Sequence, residues 1–102
     1  MTATFAPRAK REIKGILDHI LTQSAQGANS VSMSISSTIK SCEQFPRTAS
    51  KTNRKNIFRK PLAKFPYTIF YRYEPKSGDI EIVAVVHSAR VKSLSRIPKE
   101  DD

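Results

Sequence analysis

The chain has 102 residues, 38% of them hydrophobic, which is room for one compact core and excludes a second domain of ordinary size. Its 18 Lys and Arg against 9 Asp and Glu leave a formal charge of +9, a field that calls for anionic partners: nucleic acid, a ribosome or an acidic protein segment. One cysteine excludes an internal disulfide, and no apolar run approaches the roughly 20 residues of a membrane span.

The N-terminus lacks the charged and apolar regions of a signal peptide, so the expected compartment is the cytoplasm, with no membrane partner. Thr2 to Phe5 is a candidate short strand. Pro7 suits the first turn of a helix, where a missing N–H is harmless. Ala9, Ile13, Ile16, Leu17, Ile20 and Leu21 then form one apolar stripe at helical spacing, with Arg8, Lys10, Arg11, Lys14 and Asp18 largely on the other face. Gln26-Gly27 is expected to end this helix or turn the chain. His19 reads as a partly exposed helix residue with no role.

Val31 to Ser36 alternates with period two and, taken alone, reads as a strand. Over a longer window Ala28, Val31, Ile35, Ile39 and Cys42 recur at spacings of three and four, which predicts a helix from about Ala28 to Gln44, ended by Phe45-Pro46. Cys42 lies on the apolar stripe and reads as core rather than nucleophile. Arg47 to Asn56 has no periodicity and reads as a connecting loop.

Strands follow. Asn56 to Leu62 is the first, with Pro61 marking an edge or an end. Tyr67 to Glu74 is dense in aromatic and β-branched residues, Pro75 to Asp79 supplies turn chemistry, and Ile80 to His87 completes an antiparallel hairpin. Alternation puts Tyr67, Ile69, Tyr71 and Tyr73 on one face and Thr68, Phe70, Arg72 and Glu74 on the other. Both faces are apolar enough to need covering. The predicted fold is α+β, a helical hairpin on a twisted antiparallel sheet of three to four strands, as a single domain over residues 1–98 with a frayed acidic tail at 99–102.

Charge is placed unevenly. No carboxylate occurs between Glu43 and Glu74, an interval holding Arg47, Lys51, Arg54, Lys55, Arg59, Lys60, Lys64 and Arg72. Cations so segregated cannot neutralise one another and should form a basic face or arm. There is no Gly-rich phosphate loop, Cys/His cluster or Ser–His–Asp pattern, so neither cofactor nor metal is expected.

Three segments carry a resemblance. Phe58 to Arg72 is similar to the central strands of ParE-type toxins, where an arginine-bearing strand runs into a Pro-Tyr-x-Ile strand. Ile80 to Arg90 resembles the last strand of that family and its closing His-x-Ala-Arg, and Phe5 to Ile16 its first helix. The chain is thus identified as a RelE/ParE superfamily member, nearer the ParE branch. Ala6 stands where the family often has an N-cap Ser, a departure that costs about 1 kcal/mol.

The resemblance implies a toxin of a type II toxin–antitoxin system, of the kind linked to plasmid stabilisation. It also implies an acidic, partly disordered cognate antitoxin that wraps the toxin and buries apolar surface, including part of the second sheet face. ParE-type members bind and poison DNA gyrase and are not enzymes. RelE-type members cut messenger RNA on the ribosome without a metal, which needs an acid–base group and cations around the scissile phosphate.

For that alternative Arg59, Arg72, His87 and Arg90 are the candidate catalytic residues. The closing stretch after His87 lacks the Tyr or His that RelE-type members usually carry there, which favours gyrase. His87 then reads as a packed or capping histidine, and the tyrosines as core and rim rather than base-stacking platforms. Arg59, Lys60, Lys64, Arg72 and Arg90 are the candidate binding residues, with Arg59 and Arg72 foremost for a basic groove.

Overall fold

Pro7 opens the first helix as its fixed φ predicts. In the computed structural model, which describes residues 3–89, α1 runs Pro7–Leu21 and α2 runs Ala25–Gln44. The strands are β1 (Ala3–Phe5), β2 (Ser50–Lys51), β3 (Ile57–Pro61), β4 (Tyr67–Tyr73) and β5 (Ile80–His87), in the sheet order β1-β5-β4-β3-β2. Among the described residues the sheet therefore has five strands, not three to four. It is also mixed, because β1 pairs parallel to β5 while the other pairings are antiparallel.

The helix boundary differs from the sequence expectation. Gln26-Gly27 does not end α1; it lies in the first turn of α2. Ser24 decides this, since its hydroxyl accepts the Gly27 N–H at 2.9 Å and caps the second helix. α1 ends earlier, where Gln23 and Ser24 both donate backbone N–H groups to the Ile20 carbonyl. At the other end of the hairpin α1 starts with no side-chain cap, as Ala6 requires.

Both helices cover one face of the sheet. Ala9 from α1 and Val31, Ile35, Ile39 and Cys42 from α2 pack with Phe58, Ile69, Tyr71, Ile80, Ile82 and Val85. Tyr71 is fully buried at the centre. Its ring stacks on Phe58, with centroids 5.6 Å apart, and its hydroxyl donates to the Pro46 carbonyl at 2.6 Å, which satisfies the one polar atom buried with it. Side chains of this size each contribute about 1.5–3 kcal/mol on burial.

The hairpin forms at the predicted turn, where Gly78 takes a positive φ of 77° and donates to the Glu74 carbonyl. One feature of β5 breaks simple alternation. Tyr71 pairs with Ile82 but Phe70 pairs with Ala84, leaving Val83 without an opposite residue. This β-bulge turns both Val83 and Ala84 to the face away from the helices, where they join Ile57, Phe70 and Val86 in a second buried cluster. It also reverses the facing of every later residue in the strand.

Candidate functional site

The sheet face away from the helices carries the two foremost cations. Arg59 is exposed on β3, paired across the sheet with Ser50 on one side and Phe70 on the other. Arg72 on β4 stands opposite Glu81, and its Nη1 donates to Glu81 Oε1 at 2.6 Å. Both cations lie on the same side of the sheet as the buried cluster around Phe70, with Arg59 exposed and Arg72 offset by Glu81.

The other predicted binding residues are dispersed. Lys60 pairs with Ile69 on the helix side, near enough to the Cys42 thiol to oppose the rise that burial imposes on it. Lys64 is exposed in the turn between β3 and β4. Arg90 lies outside the described residues, as does the acidic tail.

His87 is not with Arg59 and Arg72. It pairs with Tyr67, whose side chain packs against the core on the helix side, and the two rings meet edge to face at 5.6 Å. Its Nδ1 accepts the Ala89 N–H at 3.2 Å, a local cap on the strand end. The ring lines a cleft of about 300 Å³ that also contains Glu12, Ile16, His19 and Tyr67. Unbroken alternation from Ile82 would have put His87 beside the arginines; the bulge at Val83 turns it away. His19 in this cleft drew no role from the sequence.

Glu12 in that cleft is already committed. One carboxylate oxygen accepts the Val85 N–H at 2.8 Å and the other pairs with Arg8 at 3.2 Å. No group of three or more His, Cys, Asp or Glu among the described residues could hold a metal ion. No helix among them is long and apolar enough to cross a membrane.

Two further surfaces were not singled out as sites from the sequence. Phe5, Ile13, Leu17, Ile35 and Ile39 form an apolar cleft of about 470 Å³ along the helical hairpin, rimmed by Lys10, Lys14 and Asp18. Lys14 pairs with Asp18 at 2.7 Å, and that bond raises the lysine pKa. Between α2 and β3 the segment Arg47 to Asn56, predicted as a connecting loop, contributes β2 and wraps a basic cavity of about 410 Å³.

Known proteins give this geometry a context. The family model described as the ParE toxin of the type II toxin–antitoxin system parDE matches residues 3–92. The chain belongs to the ParE toxin family. Similar solved structures include a chain of the chromosomal ParDE system of P. aeruginosa, with a TM-score of 0.72 and 17% identity over 85% of this chain and 95% of that one. The isolated E. coli RelE toxin superposes with a TM-score of 0.62 and 12% identity over 92% of this chain and 90% of that one. A chain of the intact E. coli RelBE complex gives 0.61 and 11% over 84% and 94%. These likenesses establish the ParE/RelE fold. A search of curated proteins gives no match.

Proposed function

We propose that this ParE-family toxin acts by binding DNA gyrase and not by cutting RNA. One observation carries the reading: the bulge at Val83 turns His87 to the helix side, while Arg59 and Arg72 occupy the opposite face. Metal-free RNA cleavage needs its acid–base group and its cations around one scissile phosphate. The β-sheet between His87 and these two arginines weighs against their meeting at one phosphate, and so supports the gyrase reading. Protein–protein contact has no such requirement, and an exposed arginine such as Arg59 is a residue type that interfaces favour.

The partner that neutralises the toxin is an acidic antitoxin. Its support is the pairing of a +9 chain with an apolar cleft on the helical hairpin, where an amphipathic segment would bury Phe5, Ile13 and Leu17 and meet Lys10. The protein works in the cytoplasm, where its target is.

The test compares the wild-type chain with His87→Ala in two assays, gyrase supercoiling and ribosome-programmed mRNA cleavage. Inhibition of gyrase by both proteins, without mRNA cleavage by either, is the expected result. Ribosome-dependent cleavage that disappears in His87→Ala would establish the RelE-like alternative instead.

A further inference from the structure

The carboxylate-free interval does not form one arm in the folded chain. Arg59 and Arg72 go to a sheet face, whereas Arg47, Lys51, Arg54 and Lys55 converge on the cavity of about 410 Å³ formed by the loop between α2 and β3. That volume falls within the range of about 300–1,000 Å³ usual for ligand pockets. No carboxylate among the described residues lines it. Lys51, Arg54 and Lys55 make no ion pair among the described residues, so their charge is uncompensated at the site.

The wall of the cavity is built, not loose. The Thr52 hydroxyl donates to the Ile57 carbonyl at 2.7 Å and accepts the Arg54 N–H at 3.2 Å. Asn56 sits at φ 63°, a left-handed turn that asparagine tolerates, and its carbonyl accepts the Tyr73 N–H at 2.8 Å. These bonds fasten the loop to β3 and β4 before any ligand arrives, which lowers the ordering cost of binding. The Arg47 guanidinium lies over the Tyr73 ring, 5.4 Å from its centroid. A guanidinium paired with an aromatic ring offers a nucleobase a cationic and π-rich surface to pack on.

We propose that this cavity is a phosphate-binding pocket for a nucleic-acid strand, with Lys51, Arg54 and Lys55 around a backbone phosphate and an adjoining base against the Arg47–Tyr73 pair. Cations alone would serve an acidic peptide equally well. The cation–π pair beside them favours the nucleic acid, because a base uses a π surface and a carboxylate does not. The pocket is separate from the Arg59–Arg72 face and does not depend on which protein the toxin inhibits.

The experiment is fluorescence anisotropy of a short labelled single-stranded DNA with the full chain across a salt series. Arg54→Glu with Lys55→Glu is compared with Lys10→Glu with Lys14→Glu, which makes the same charge change on α1. The pocket variant should weaken binding about tenfold or more and flatten the salt dependence by about two ions, with a much smaller loss in the control. Equal losses would reduce the effect to overall charge and overturn the proposal. So would polyglutamate that binds as tightly as the DNA and is lost in the same variant, since the pocket would then be a peptide site. Inorganic phosphate added to the unmodified protein is an independent readout by amide chemical shift. Changes confined to Lys51 through Asn56 and Tyr73 support the pocket; changes spread over the surface contradict it.

Discussion

The Glu12 carboxylate of α1 accepts the backbone N–H of Val85, two residues past the bulge in β5, at 2.8 Å. β1 pairs with β5 only as far as Ile82, so the strand edge beyond it needs another acceptor, and the helix supplies one. Glu12→Ala leaves the Val85 N–H without that partner and should destabilise the fold by about 1–3 kcal/mol, read by urea unfolding. Glu12→Gln keeps an acceptor oxygen and should lose clearly less. Equal losses would show that the Arg8 pair, and not the Val85 bond, is what matters.

That hydrogen bond also marks where the sequence stopped being legible. The hairpin, the long second helix and the facing of Tyr67 through Tyr73 follow from spacing, because helix and strand periods dictate which side chains share a face. The RelE/ParE-like fold followed from three short segments in register. The bulge does not follow from spacing. Ile80 to His87 is an almost continuous apolar run, so no polar residue reveals that Val83 and Ala84 face the same way. Consequently the sequence could group His87 with Arg59 and Arg72, while the structure separates them. Ser24 was missed for a related reason: Gly27 looked like a terminator, and only the capping bond shows that a helix begins there.

That cap gives a direct prediction. Ser24→Ala removes the acceptor for the Gly27 N–H and should cost about 1 kcal/mol, seen as a lowered thermal midpoint. Ser24→Asn or Ser24→Asp should restore most of it. A Ser24→Ala chain as stable as the wild type would contradict the capping role.

The buried pair Tyr71 and Cys42 should make stability fall at alkaline pH. Burial pushes the Tyr71 phenol well above its ordinary 10.0, and the neighbouring Cys42 adds to the rise. Burial likewise raises Cys42 above its ordinary 9.0. Both groups hold their protons more tightly in the folded state. Their contribution is therefore complete below pH 9.0 and is lost as pH rises, through cysteine first and tyrosine second. Each group steepens the loss by at most about 1.4 kcal/mol per pH unit. Tyr71→Phe should cost about 1–2 kcal/mol at neutral pH, by orphaning the Pro46 carbonyl, yet show a shallower decline above pH 10.0. Parallel declines in wild type and variant would refute the tyrosine part.

Function should divide along the two faces of the sheet. Arg59→Glu places the wrong charge on the face proposed for gyrase and should weaken inhibition about tenfold, or about 1.4 kcal/mol. His87→Ala should stay within about twofold of wild type, because it stands on the side of the sheet away from the face proposed for gyrase. Dose–response curves for the two purified variants decide this, and the reverse order of effects would place the working surface on the helix side.

The central claim is tested most directly by DNA gyrase supercoiling with the purified chain, without and with its antitoxin. Arrest of supercoiling, or accumulation of cleaved DNA, that the antitoxin reverses is the result the account predicts. Undiminished supercoiling at a stoichiometric excess of toxin would contradict it.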